Sequence, residues 1–528
     1  GLTSSSNSVT ADVAGPVSVV STTGNVTVTG GGSRGYAQIG HGGLDFSGAA
    51  TGELQVVSAG DLLLNGGTNA GAYALVGHGG RIEAGGLTTG VREGNVLIRA
   101  QGLTSLTDNT SAAFIGHRGA AGVTSLGESS RLALVTGQLS TIGSADHLTG
   151  MIANVIQAGT VEIGVTNGDL DVAGAALTYN SANHLDLFAA GDTTFSVSVQ
   201  NSGSGAITGV AGWDGTTGLI ESITPLAAPP ITSLSLDAAV VEASPTAYDN
   251  NGGILAVGDS AQVSATNVGS REGRTAMLGD SVRVVAGDGA ANLYSQIGYR
   301  GTSAAAITGA IHVASGSGGI LVDGATQNGG FAQIGHGGFG AVAAPVNATI
   351  TLMGEDLSLN GGDGSNAYAQ VGHGGSAYTQ SLAGEITALG TLGDVALSSG
   401  SGLAAYSQIG HGGDSSTGAK SGNLAITADS FALQGNGARA VAQIGHGGRA
   451  GGGALSGAIT LASTLGGVSL TAGTGASSSA VIGMGGQAYS GLATASPISI
   501  TSFADVLLQS STGLQSSAMI GNGGDGAV

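Results

Sequence analysis

The octet Tyr36-Ala37-Gln38-Ile39-Gly40-His41-Gly42-Gly43 returns along the chain, and this repetition restricts the available folds more than any other feature. It recurs as Tyr73-Ala74-Leu75-Val76-Gly77-His78-Gly79-Gly80, then around Gly116, Gly298, Gly335, Gly372, Gly410 and Gly445. Looser copies surround Gly483 and Gly521. Successive separations are 37 and 39 residues in the first block, then 37, 37, 38, 35, 38 and 38 in the second. Gly40 and Gly521 stand 481 residues apart, thirteen periods of 37, so the phase survives a middle stretch that lacks the octet.

Within one copy, Gly422-Asn423-Leu424-Ala425-Ile426-Thr427-Ala428 alternates apolar and polar residues, and so does Asp429-Ser430-Phe431-Ala432-Leu433-Gln434-Gly435. The octet closes the copy. Period-two alternation between glycine-rich turns reads as half-buried strands. No stretch shows a 3.6-residue period with helix caps. Three short strands enclose almost nothing alone, so copies must stack, at about 4.8 Å per layer, to close a core. The expected fold is all-β: a parallel β-helix, or β-solenoid, with one three-sided coil per 37-residue repeat. Two smaller coils per repeat are the alternative.

Three regions follow: regular repeats over 1–120, a degenerate solenoid with longer loops over 121–290, and regular repeats over 291–528. The middle region holds the only tryptophan, Trp213, and a proline-rich stretch from Thr224 to Pro230, where the solenoid is expected to break. Its aromatic and loop-bearing character makes it the expected place for any specific binding face. Neither end reads as a cap, which points to an excerpt of a longer solenoid or to subunits stacking head to tail.

Composition narrows the function. Only 9 % of residues are charged, but 41 % are hydrophobic and form strand-like runs, which excludes disorder through lack of a core. The 102 glycines do not fall at every third position, which excludes collagen. A formal charge of −20, with Lys420 the sole lysine, leaves no basic face for nucleic acid. No apolar run is long enough for membrane insertion as a helix. The absence of cysteine fits export from a bacterium.

Candidate chemistry lies in the octet. His41, His78, His117, His336, His373, His411 and His446 share one register and form the candidate metal ladder, since imidazole binds zinc, copper and nickel. Against it stands a simpler role, a turn residue whose ring stacks on its neighbour. Protonation of such a column near pH 6 is then expected to loosen the stack. If Ala37 and Ile39 face inwards, Tyr36, Gln38, Tyr73, Gln296, Gln333, Gln370, Gln408 and Gln443 form external ladders, with the amides bonded to one another along the axis. Calcium is the candidate cofactor at Asn360-Gly361-Gly362-Asp363-Gly364 and Asp249-Asn250-Asn251-Gly252-Gly253, but the nine-residue period of calcium-binding rolls is missing, so both read as turns. The pairs Asp146-His147 and His184-Asp186 read as surface residues. Carboxylates are otherwise scattered, so no enzyme and no catalytic residues are expected.

The pieces Gly-Asn-Leu-Ala-Ile-Thr-Ala at 422–428 and Gly-Asp-Val-Ala-Leu at 393–397 resemble the repeats of filamentous-haemagglutinin-type exoproteins, in pattern over most of the chain. The octet lies outside that family's pattern. The resemblance implies a right-handed β-helical adhesin or stalk on the surface of a Gram-negative bacterium. The implied partners are other copies of itself, cell-surface glycans or other cells, and no site residues carry over. The octet is also similar to the repeats of curli-type amyloid subunits, which place Gln two residues before Gly, but their period is shorter. A glycan-binding or glycan-cleaving β-helix is the first alternative and an ice- or mineral-binding solenoid the second, lacking here clustered carboxylates and a regular Thr-x-Thr array respectively.

Overall fold

A computed structural model describes residues 11–43, 46–69, 72–80, 90–117, 131–142, 147–249, 252–301, 303–341, 343–491, 493 and 496–523. They are nearly all β, in long parallel sheets. Each strand of the regular repeats pairs with its equivalent one repeat later: Tyr368 with Tyr406, Ile386 with Leu424, Leu397 with Leu433, Leu382 with Lys420. One repeat is therefore one layer, rather than two smaller turns. The chain divides into two compact units, Gly1–Thr193 with Trp213–Ala247, and Thr194–Gly212 with Tyr248–Val528.

In the second unit a complete layer contributes a short strand, a long strand bent at a corner, and the octet strand. Leu382–Ala383, Ile386–Ser398 and Tyr406–Ile409 make one such layer. Alternation places Ile386, Val395 and Leu397 inside, directly below Leu424, Phe431 and Leu433. Each fully buried side chain of this kind is worth roughly 1.5–3 kcal/mol, which a lone repeat cannot collect. Where the octet strand ends, Gly372, Gly410 and Gly445 adopt φ of +155°, +151° and +150°. A methyl at any of them would overlap a carbonyl of the next layer's glycine. Glycine is required there by both conformation and space.

The corner of the long strands carries a second row that the sequence reading passed over. Asp356 Oδ1 accepts from the Asp394 backbone N–H at 2.8 Å, and Asp394 Oδ1 accepts from the Ser430 hydroxyl at 2.7 Å. The first unit repeats the device, with Asn25 accepting from Asp61 N–H and Asp61 from Leu103 N–H, both at 2.8 Å. A carboxylate or amide here satisfies backbone donors that the corner would strand.

The first unit stacks Val17–Ser21, Leu54–Ser58, Val96–Thr107, Leu132–Ile142, Val161–Val165 and Leu185–Ala189 in register. It departs from the expected irregular solenoid at two places. Residues His147–Ile156 form an α-helix, where none was expected. Leu148, Met151, Ile152, Val155 and Ile156 make its buried stripe at helical spacing. The missing signal was a cap, and Gly150 dilutes the pattern. Beyond Gly116 the helix takes the place of a further octet strand, its Val155 against Gly116.

The proline-rich stretch is the turn of an antiparallel hairpin, Leu219–Ile223 with Ile231–Leu236. The hairpin lies on the outer face of the sheet. Gln55 exchanges two hydrogen bonds with the backbone of Ile231, at 2.9 and 3.0 Å. Glu162 accepts from Leu236 N–H and pairs with Arg131 at 2.7 Å. Trp213, expected to serve a binding face, is instead wholly buried, edge-on to Phe188, with Nε1 donating to Thr217 O at 2.9 Å.

Candidate functional site

The octet histidines form stacked columns in each unit. In the first unit the His41, His78 and His117 rings stand 5.1 and 4.7 Å apart. In the second, His336, His373, His411 and His446 follow at 5.1, 4.8 and 4.6 Å, and all four are fully buried. The backbone N–H of His336 donates to Nδ1 of His373 at 3.1 Å, His373 N–H to His411 Nδ1 at 3.1 Å, and His411 N–H to His446 Nδ1 at 3.0 Å. Nδ1 is thus an acceptor, so the ring proton resides on Nε2. From Nε2 each ring donates to a main-chain carbonyl of the short-strand side: Gly309 at 2.6 Å, Ala348 at 2.8 Å, Gly384 at 2.9 Å and Gly422 at 2.9 Å. His41, His78 and His117 reach Gly15, Gly52 and Gly94 in the same way.

In every ring of the two columns except His41, both nitrogens therefore join protein to protein. The lone pair a metal would need is already accepting an N–H, and the other nitrogen holds a proton. Burial pushes His336 and His446 down to about 4 and His373 to about 3, and holds His411 well below the usual imidazole range. In the first unit burial brings His117 to about 4 and lowers His78. Other residues at this position keep part of the pattern. Met484 Sδ accepts from His446 N–H at 3.3 Å, while Asn522 Oδ1 accepts from Met484 N–H and its Nδ2 donates to Ser496 O, each at 2.9 Å.

The tyrosine and glutamine ladders lie within the protein, not on its surface. Tyr294, Phe331, Tyr368 and Tyr406 stack at 5.1, 4.6 and 4.6 Å, and only Tyr36, in the first unit, is exposed at 42 %. The His-Gly-Gly turn folds back over this side of the strand: the second glycine of each turn lies against a ring, Gly338 on Phe331, Gly375 on Tyr368 and Gly413 on Tyr406. The octet strand is consequently covered on both faces, so neither parity of its side chains faces water. Tyr73 in the first unit is buried likewise.

The glutamines do not bond amide to amide. Each Nε2 reaches the next layer's glycine carbonyls instead. Gln333 donates to Gly372 and Gly374 at 2.7 and 3.0 Å, Gln370 to Gly410 and Gly412 at 2.9 Å each, and Gln443 to Gly483 and Gly485 at 2.9 and 2.8 Å. Gln296 donates to Gly335 and Gly337, Gln408 to Gly445, and Gln38 to Gly77 and Gly79. Gln370→Glu replaces this double donor by an acceptor facing two carbonyls. It is expected to destabilise the second unit by about 3 kcal/mol, and Gln370→Met by less, as read from urea unfolding midpoints.

Elsewhere, Lys420 fills an apolar position between Leu382 and Leu455 and is 1 % exposed. Its ammonium donates to Ser416, Gly418 and Gly452 carbonyls at 2.9, 2.8 and 2.8 Å, while burial draws it down to about 7. These carbonyls, with the Tyr489 hydroxyl oxygen at 3.4 Å as a fourth acceptor, favour the charged form. Asp363 accepts from Ser401 at 2.6 Å. Asn250, Asn251 and Asp146 lie outside the described residues; among the described residues no group of three His, Cys, Asp or Glu has metal-binding geometry. His184 is exposed, but Asp186 is buried rather than at the surface.

Comparison with known proteins returns no match: no protein-family model fits the chain, and no curated protein and no solved structure is significantly similar to it.

Proposed function

We propose that the chain is a β-solenoid serving as the stiff shaft of an extracellular fibre, sheath or adhesin, of the filamentous-haemagglutinin kind, at the surface of a Gram-negative bacterium. The observation that carries this reading is the use to which the octet is put. Its imidazole Nδ1 atoms, amide donors and rings join one layer to the next, and each Nε2 closes its own layer. A repeated unit whose polar groups point into its own stacking is suited to holding length rather than to turnover. The acidic, lysine-poor composition fits the extracellular setting. Self-association by head-to-tail stacking is part of the same reading.

Negative-stain electron microscopy of the purified chain at neutral pH tests it. Rods or fibres of uniform width are the expected result. Compact globular particles would remove the shaft, and turnover of a polysaccharide by the purified chain would replace it with an enzyme.

A further inference from the structure

In the second unit two rows of turn residues flank the column of stacked rings. Asn292, Gly329, Asn366, Ala404 and Arg439 form one row, all left-handed, with φ between +57° and +68°. Phe339, Ser376, Asp414 and Arg449, each three residues past its histidine, form the other. Between the rows runs a groove that crosses successive layers. One part, of about 380 Å³, is lined by Asn292, Asn328, Ser365, Asn366 and Phe339 and ends at Asp414. A narrow part of about 10 Å³ continues from Asp414 past Tyr406 and Val441 to Arg439 and Arg449.

The lining has a definite chemistry. Amides and hydroxyls offer donors and acceptors side by side, which suits the vicinal hydroxyls of a sugar. Phe339, 37 % exposed, offers an apolar face for the sugar's C–H groups. Asn292 and Asn366 stand two layers apart, about 9.6 Å at strand spacing, close to the length of a disaccharide in an extended glycan. At the far end Arg449 is paired with Asp414 at 2.8 Å, whereas Arg439 is exposed and carries no ion pair among the described residues. Gln408 Oε1, buried and without a hydrogen bond, faces the narrow part. An exposed guanidinium at the end of a hydroxyl-matching groove, within electrostatic reach of Asp414 but unpaired with it, keeps a fork of donors for a further carboxylate, in a chain whose net charge of −20 leaves no general polyanion patch.

We propose that this groove binds an extended, linear, carboxylate-bearing glycan, with Phe339 as platform, Asn292 and Asn366 as hydroxyl partners, and Arg439 as carboxylate ligand. The inference rests on the adhesive part of the reading above and places adhesion on the regular repeats, not on the middle loops.

The test uses fluorescently labelled hexagalacturonate and hyaluronan hexasaccharide, with cellohexaose as the uncharged analogue, and anisotropy titrations of the full chain. The variants are taken from neighbouring repeats, where the same backbone already carries them: Phe339→Ser as at Ser376, Asn366→Ala and Arg439→Ala as at Ala404. At least one uronate oligomer is expected to bind. Phe339→Ser and Asn366→Ala should weaken binding tenfold or more, and Arg439→Ala should reduce it to the level of cellohexaose. Failure of both uronate oligomers to bind overturns the proposal, as does binding that these variants leave unchanged. Electron micrographs of the same samples separate the two readings: uniform rods without sugar binding remove the groove's role and leave the shaft.

Discussion

Acidification between about pH 6.5 and about pH 4 is expected to destabilise the second unit by several kcal/mol. Its four column histidines are neutral in the folded state, with Nδ1 accepting and Nε2 donating. Their folded values lie below the ordinary imidazole value, so the unfolded chain binds protons first. The stability they contribute is therefore complete above pH 6.5 and declines as the pH falls through this window. For His336 and His446, each brought down to about 4, protonation in the folded state costs roughly 3 kcal/mol. With His373 displaced further and His411 displaced in the same direction, the column forms a substantial part of the free energy that holds the second unit folded. The buried ammonium of Lys420, close to His446, adds to the cost of protonating that ring.

Asn522 provides the control. It keeps an acceptor toward Met484 N–H and a donor toward Ser496 O, without a group that titrates in this range. His373→Asn is therefore expected to fold at neutral pH and to shift the acid midpoint downwards, in circular dichroism followed against pH. A native signal that stays flat to pH 4, or a midpoint unmoved by His373→Asn, would show that the column does not control acid stability.

The second large effect concerns backbone rather than charge. Gly410→Ala is expected to destabilise the second unit by about 4 kcal/mol, because φ of +151° and the neighbouring Gly445 carbonyl both exclude a methyl. Gly390→Ala serves as the internal comparison. Gly390 is also left-handed, at +83°, but meets nothing within 4 Å, so only the conformational term of about 1 kcal/mol applies. Urea unfolding should separate the two by several-fold in lost stability. Equal losses would mean that the layers move apart to admit the methyl.

The octet and its spacing were sufficient to foresee parallel layers one repeat apart, since an apolar row such as Ile386, Val395 and Leu397 has no partner except its own copy. Orientation within the octet was beyond the same logic. Period-two alternation locates a face only where one side meets water, and Tyr368 and Gln370 are covered by the turn that follows them. The corner row was open to view: Gly24-Asn25 and Gly60-Asp61 each precede an apolar alternating run, as Gly393-Asp394 does at the corner within its long strand, and an Asn or Asp there is a natural receiver for a backbone N–H. Helix His147–Ile156 carries its apolar stripe locally but without a cap and with Gly150 inside it, whereas the hairpin clamps at Gln55, Arg131 and Glu162 depend on pairings between residues far apart in sequence, which periodicity does not encode.

The placement of the aromatic residues also gives the two units different optical signatures. Trp213, the chain's single tryptophan, lies in the first unit. Excitation at the red edge of indole absorption therefore reports that unit alone, and its opening moves a wholly buried indole into water with a red-shifted emission. The second unit has no indole but a run of four near-parallel rings, Tyr294 to Tyr406, tilted from one another by 3–12°. Transition dipoles at that separation couple, so its near-ultraviolet circular dichroism should carry an exciton pattern that vanishes when the layers part. One sample thus holds two independent spectroscopic clocks, one for each unit.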